Sequence, residues 1–464
     1  MTLSPHEIKQ TLNVLQRIAD DPALIDDHDR FKSLIAKIYK QGKKQHKLKK
    51  RYEKRVKTQA LVETTAIVQA QLKHRSLAEK YTALSQTIFR ILPQAKTCYI
   101  CQQSYNHLHF FYHSLCPSCA EFNYQKRFQK TDLTGRTALV TGGRIKVGYQ
   151  TALRLLRDGA KVIITTRFPG DAAQRFSRES DFEVWKNRLL IHGLDLRNLP
   201  TVESFIEDLI QTEPALDILI NNAAQTIKRP LAFYQHLLIQ EEKINQSLSD
   251  SVNSLILQKN STPVLLEAQP NYQNLVQDFS HSNLDFPLNI FDQDGQQLDR
   301  RFINSWKLKL GEISLIEMLE VQLANVVAPF LLNSKLKPLL MRSSFSHRFI
   351  INVSAKEGLF NTLSKTVCHP HTNMAKAALN MMTRTSAADY AEDGIYMNSV
   401  DPGWISDQNP YPQQIHIRKQ GGFYTPLDAI DSMARIYDPI VQGIQNPDQP
   451  IWGQFLKDYQ PSTW

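Results

Sequence analysis

Cysteine is scarce in this chain, five in 464 residues, which excludes a disulfide-framed secreted scaffold. Long apolar runs are missing too: no stretch of about 18 apolar residues offers a membrane span. The opening lacks a basic-then-apolar leader with a small-residue cleavage site. Together these absences lead to the expectation of a soluble, intracellular protein of cytoplasmic location. Glycine and proline are nearly absent from residues 1 to about 95, where Lys, Gln, Leu, Ala and Glu dominate, so this region reads as helical. Apolar residues recur there at helical spacing, as in Leu12, Leu15 and Ile18 and again in Phe31, Leu34, Ile35 and Ile38. Acids are missing from residues 37–57, where eleven Lys/Arg face a single Glu53, so this stretch carries the chain's whole net charge of +10. Such a segment is either a solvated helix face or a site for an anionic partner.

Four of the five cysteines pair locally. Cys98 and Cys101 form one Cys-x2-Cys knuckle, Cys116 and Cys119 a second, with fourteen residues between them, while Cys368 stands apart. In a reducing compartment this spacing suits a tetrahedral thiolate zinc site, and four thiolates close it, leaving no position for a catalytic water. It then acts as a folding staple. His107, His109 and His113 lie in the linking segment as alternative ligands. A thioredoxin-like redox role would need strand and helix context that the sequence lacks here.

From Gly135 onward, short apolar runs at 137–140, 161–164, 217–220, 348–353 and 394–397 alternate with helical patterns. Continuous apolar runs imply strands buried on both faces, hence an α/β fold with a doubly wound parallel sheet of the Rossmann kind. The turn Thr141-Gly-Gly-Arg-Ile-Lys-Val-Gly148 follows the first of these strands and opens a helix. Gly142 permits the tight turn, Gly148 permits close packing of the helix, and the helix N-terminus offers N–H groups to a pyrophosphate. Gly143, Arg144, Lys146 and Val147 complete the candidate phosphate cradle. At the end of the second strand stand Thr166 and Arg167, where an NAD-binding chain usually offers an acid. Arg167 instead suits a ribose 2′-phosphate, so the expected cofactor is NADP(H).

Asp195-Leu196, Asn221 to Ala224, Asn325, Asn352 to Ser354, Lys376 to Leu379 and Asn398 to Gly403 follow in order. With the glycine turn they resemble the short-chain dehydrogenase/reductase family across about 300 residues. The resemblance implies that Asp195 and Leu196 lie by the adenine, Asn222, Ala223 and Ala224 by its ribose, and Pro402, Gly403 and Ile405 by the nicotinamide amide. It also implies that Lys376 binds the nicotinamide ribose and that Asn325 holds a helix kink and a water on a proton path. Lys146 occupies the family's usual middle-glycine position, as basic residues do in pteridine-reductase-like members.

The reaction end departs from the family. A tyrosine belongs four residues before Lys376, and Thr372 stands there. An aliphatic hydroxyl is a poor proton source. Counting back from Gly358, the family serine's position holds Ala355, with Ser354 one residue off, and Asp407 stands where a threonine often lies near the phosphates. His371, in the run Cys368-His-Pro-His371, titrates near neutrality and is a candidate replacement acid, although on a helix it points about 100° from Thr372. An activated acceptor, such as an iminium or conjugated substrate, would need no protein acid.

Between Gln225 and Asn325 the chain spends about four times the family's usual length. The extra stretch, about 231–310, includes Leu257, Val264, Leu265, Phe279, Phe286 and Phe291 and reads as a substrate- or dimer-covering subdomain. The sequence thus divides into a helical basic region (1–95), a four-cysteine zinc knuckle (96–130) and a Rossmann domain with an insertion (131–464). It is read as an NADP(H)-dependent oxidoreductase with an atypical active site acting on a small-molecule substrate, with a homo-oligomer an open expectation. The rival reading is a non-catalytic NADP(H)-binding sensor or scaffold.

Overall fold

The computed structural model describes residues 3–72, 90–258, 284–287, 289–292, 294–362 and 365–464. Two sheets form. A small antiparallel hairpin pairs β1 (Arg90–Thr97) with β2 (Ser104–Leu108). The main sheet has nine strands: β3 (Thr137–Thr141), β4 (Lys161–Thr166), β5 (Leu189–Gly193), β6 (Ile218–Asn221), β7 (Ile256–Gln258), β8 (Arg348–Val353), β9 (Ile395–Asp401), β10 (Phe455–Lys457) and β11 (Gln460–Ser462). Their order is β11-β10-β9-β8-β6-β3-β4-β5-β7. All pairs are parallel except β10–β11, an antiparallel hairpin that closes one edge and makes the sheet mixed.

Alternation along each buried strand separates two cores. Val140 and Ile164 face the helices Lys146–Arg157 and Ala429–Gln445, whereas their neighbours Leu139 and Ile163 face Leu199–Thr212 and Ala328–Lys335. Side chains of period two pointing to opposite faces, each covered by helices, explain why every residue of β3 and β8 is buried. Chain order reverses between β3 and β6, and the crevice above their C-terminal ends is where such sheets bind ligands.

The insertion does more than cover the sheet. Its helix Leu231–Ser247 packs Phe233, Tyr234 and Leu237 against Phe168 and Phe286, and it then contributes β7, a strand beside β5. Arg229 and Arg301 both grip Asp299, whose carbonyl accepts from Tyr411 N at 2.8 Å. Val264, Leu265 and Phe279 lie outside the described residues. The helical stretch Leu315–Lys335 has the length and hydropathy of a membrane span among the described residues. Ala328 and Leu332 nevertheless sit in the sheet's core, and Glu317, Glu320, Asn325 and Asn333 on the same stretch are buried.

Residues 3–72 are mainly helical, with Pro5–Asp20 started by a capping box of Ser4 and Glu7 and followed by the 34-residue helix Asp29–Val62. Residues 90–95, assigned to the helical region by composition, instead belong to β1. Their register against β2 ties them to the cysteine knuckles, so that module begins earlier than residue 96. Its core of Cys98, Tyr105, Leu108, Phe111, Tyr112 and Leu115 is shared with Tyr424 and Leu427 of the Rossmann domain.

Candidate functional site

The phosphate turn is built by close approach. Gly142 has φ +69, and a Cβ there would meet Ala223 Cα at 3.0 Å, while a Cβ on Gly148 would collide with the Gly142 carbonyl. Thr141 Oγ1 receives the N–H groups of Asn222 and Ala223, each at 3.0 Å, and Asn222 Nδ2 donates to the Thr141 carbonyl at 2.9 Å. These bonds clamp the turn to the loop after β6. Ile145 precedes the helix Lys146–Arg157 and caps it with no side-chain hydrogen bond, so the helix presents its first N–H groups to the crevice. Lys146 has φ +53, a left-handed conformation that favours glycine and explains the family's usual residue there.

The side chains around this turn are engaged by the insertion, which sequence reasoning did not foresee. Arg144 is buried, its guanidinium 2.7 Å from Asp171 Oδ2 and 3.3 Å from Gln296 Oε1, so its side chain is spent on structure. Lys146 Nζ lies 3.4 Å from Asp294 Oδ2. Val147 packs on the core. Thr166 Oγ1 accepts from Phe168 N at 3.1 Å and shapes the loop after β4. The Arg167 guanidinium lies 4.5 Å from the Tyr234 ring centroid, a cation–π contact that orients it at the end of β4.

On the adenine side Leu196 is buried, but the Asp195 carboxylate is taken by Arg197 through contacts of 2.6 to 3.2 Å. Burial pushes the Asp195 carboxyl up, and the Arg197 guanidinium outweighs this and holds it below the usual range. Arg197 continues to Glu320 Oε1 at 3.1 Å, and Glu320 Oε2 accepts from Gln225 Nε2 at 3.0 Å. The sequence offered no signal for this relay, because Glu320 lies 123 residues from Arg197 and 95 from Gln225 along the chain. Ala224 is exposed at the crevice.

At the reaction end, Asn325 sits in a π-helical turn, Leu323–Val327, as the expected kink requires. Its amide is tied to one backbone unit: Oδ1 accepts from Gln225 N at 2.7 Å and Nδ2 donates to the Gln225 carbonyl at 2.9 Å. Lys376 is buried and donates to the Val353 carbonyl at 2.8 Å, so in this state it holds the end of β8. Burial lowers its ammonium pKa to about 8, against the opposing pull of Glu357 and Asp401. Burial likewise raises the Asp401 carboxyl to about 6. Ser354 points to the same helix, Pro370–Glu392, and donates to Asn380 Oδ1 at 2.5 Å, which leaves Ala355 at the serine position without an oxygen.

Thr372 Oγ1 is buried with no hydrogen-bond partner among the described residues. His371 Nε2 lies 3.4 Å from Glu317 Oε1 in a buried pair that the sequence did not reveal. Asp407 caps its own loop through Asn409 N at 3.0 Å. Gly403 has φ +84, the Pro402 carbonyl accepts from Ser432, and Ile405 packs on the cysteine module. The next contact joins the two parts: Trp404 N donates to Tyr99 Oη at 3.2 Å.

The sulfurs of Cys98, Cys101, Cys116 and Cys119 all lie within 4.8 Å of one another. Tetrahedral zinc with Zn–S of about 2.3 Å spaces its sulfurs at about 3.8 Å, and Cys101 and Cys116 stand 3.7 Å apart. The donor set fits such a metal. His109 and His113 are turned elsewhere, His109 Nδ1 accepting from Phe111 N and His113 facing the Tyr424 carbonyl.

Comparison with known proteins fits this geometry. A family profile described as short chain dehydrogenase matches residues 136–262, and one described as enoyl-(acyl carrier protein) reductase matches residues 303–420. An uncharacterised protein of Acanthamoeba polyphaga mimivirus is 34% identical over 358 residues, 74% of this chain and 71% of that one. Human dehydrogenase/reductase SDR family member 13 is 42% identical over 94 residues, 20% of this chain and 24% of that protein. Among solved structures, a short chain dehydrogenase of Burkholderia cenocepacia in complex with NADP is 20% identical with a TM-score of 0.44, covering 70% of this chain and 97% of that one.

Proposed function

The chain belongs to the short-chain dehydrogenase/reductase family, and on that premise we propose that it is an NADP(H)-dependent oxidoreductase with an atypical proton path. One observation carries this reading: the glycine turn at 142–148 is locked to the loop after β6 beneath an uncapped helix N-terminus, with Arg167 beside it at the end of β4. Arg167 and Lys146 would meet the phosphates, and Lys376 would exchange the Val353 carbonyl for the nicotinamide ribose. When bound, the dinucleotide supplies the hydride. Thr372 and Ala355 leave the acceptor without the family's acid and its oxygen donor, so the substrate is an activated one, a conjugated carbonyl or an imine, or takes its proton from the His371–Glu317 pair or from water. The cysteine cluster would hold a structural zinc that keeps Tyr99 against Trp404.

A second reading, a non-catalytic NADP(H)-binding sensor or scaffold, draws on the partnerless Thr372 hydroxyl and the engaged Lys376 amine. The deciding experiment offers labelled NADPH to a panel of carbonyls, enones and imines and compares the chain with Lys376→Ala. Label transfer that depends on Lys376 supports the oxidoreductase. Tight NADPH binding without transfer across the panel supports the sensor, and no NADPH binding sinks both.

A further inference from the structure

We propose that the helix Asp29–Val62 docks on the sugar–phosphate backbone of duplex nucleic acid. Every residue from 36 to 57 is exposed, so this part of the helix lies open to solvent. At about 100° per residue, ten of the eleven basic side chains of residues 37–57 fall on one face about 160° wide, with only Lys49 outside it. Lys40, Lys43, Lys47, Lys50 and Lys54 form its centre line. The stripe is about 30 Å long at 1.5 Å per residue, close to one turn of duplex at about 34 Å.

A helix exposed in this way works against itself. Like charges three and four residues apart destabilise it, and among the described residues no carboxylate pairs with a base of this stretch. Nor does tertiary packing compensate, since nothing in the described structure covers residues 36–57. A row of phosphates removes the repulsion and releases counterions on binding, which is the main source of sequence-independent affinity for nucleic acid. A lipid surface fits less well. The opposite face carries Leu34, Ile38, Tyr52 and Val56, but Gln41, Gly42, Gln45, Lys49 and Glu53 break it, so no continuous apolar band is available to enter a bilayer. The stripe is also firmly mounted: Arg55 donates to the Gln420 carbonyl, Val62 is buried in the cysteine module, and Glu63 just beyond accepts from Tyr424 at 3.1 Å.

The test uses the full chain and a fluorescently labelled 30-base-pair DNA duplex, followed by anisotropy over a salt series. The wild type should bind with an affinity that falls as about the fourth power of salt or more steeply, each phosphate contact contributing about 0.9 to the slope. Alanine at Lys40, Lys43, Lys47, Lys50 and Lys54 together raises helix propensity while removing charge, so the helix persists. That variant should lose at least about tenfold in duplex affinity and show a shallower salt slope, with NADPH binding unchanged as the control for folding. Three results overturn the proposal: no duplex binding at low salt, equal binding by the variant, or tighter binding to phosphatidylserine vesicles than to the duplex, the last making a membrane the occupant.

Discussion

At the phosphate end of the proposed dinucleotide crevice the backbone would carry the recognition: two glycines, an uncapped helix and a clamp through Thr141. At the proposed reaction end side chains would have to carry it, and there Thr372 stands at the position of the family's proton donor and Ala355 at that of its oxygen donor. Backbone devices tolerate drift in the residues around them, as Lys146 in a glycine's conformation shows. Proton transfer rests on one or two atoms, and changing them changes the chemistry. On the proposed function, the contrast makes cofactor binding and turnover separable, so that each can be perturbed without the other.

The strongest way to break the contrast is at the turn. Gly148→Val forces a side chain into the Gly142 carbonyl and should weaken NADPH binding on the order of 100-fold, with circular dichroism confirming the fold. Unchanged affinity would mean the phosphates lie elsewhere. Next comes Lys376→Met, which should cost about tenfold in NADPH affinity. Its amine, lowered by burial to about 8, loses its charge as pH rises through that value, so wild-type affinity should fall between about pH 7 and 9 and the variant's should not. A wild-type profile flat across that window would remove Lys376 from the cofactor site.

Arg167→Ala should cut the preference for NADPH over NADH by about tenfold, measured as the ratio of the two dissociation constants. The smallest effect has the opposite sign. Asp294 competes for Lys146 at the mouth of the crevice, so Asp294→Asn should raise NADPH affinity about two- to threefold at low salt and not at high salt. A loss of affinity instead would show that the insertion's acid positions Lys146 rather than occupying it.

The buried strands β3, β4, β6, β8 and β9 were legible because a short, unbroken apolar run has little use except inside a sheet covered on both faces, and the glycine turn because its context of strand and helix came with it. The cysteine spacing read equally well. β5 and β7 were not legible: β5 runs through His192 and β7 is only three residues long. The Arg197–Glu320 relay, the His371–Glu317 pair and the Asp294–Lys146 contact were invisible because each joins residues brought together only by tertiary folding. The boundary at residue 95 failed for a related reason. Composition marks helix formers, but β1 exists because β2 pairs with it.

The docking of the cysteine module on the loop after β9 sets how this protein can be cut. Arg127 grips Asp428 at 2.7 and 3.0 Å and Asp431 at 2.8 Å, Lys126 reaches Asp438 at 2.5 Å, and Tyr112 Oη meets Asp431. Three aspartates on or capping one helix thus depend on cations and a hydroxyl that lie before residue 130. A fragment beginning at the first Rossmann strand would keep every family motif yet leave these carboxylates without their partners and bare Tyr424 and Leu427 to water. A stable fragment of this chain therefore starts before its cysteines, because the segment that looks like an appendage shares its core and its ion pairs with the Rossmann body.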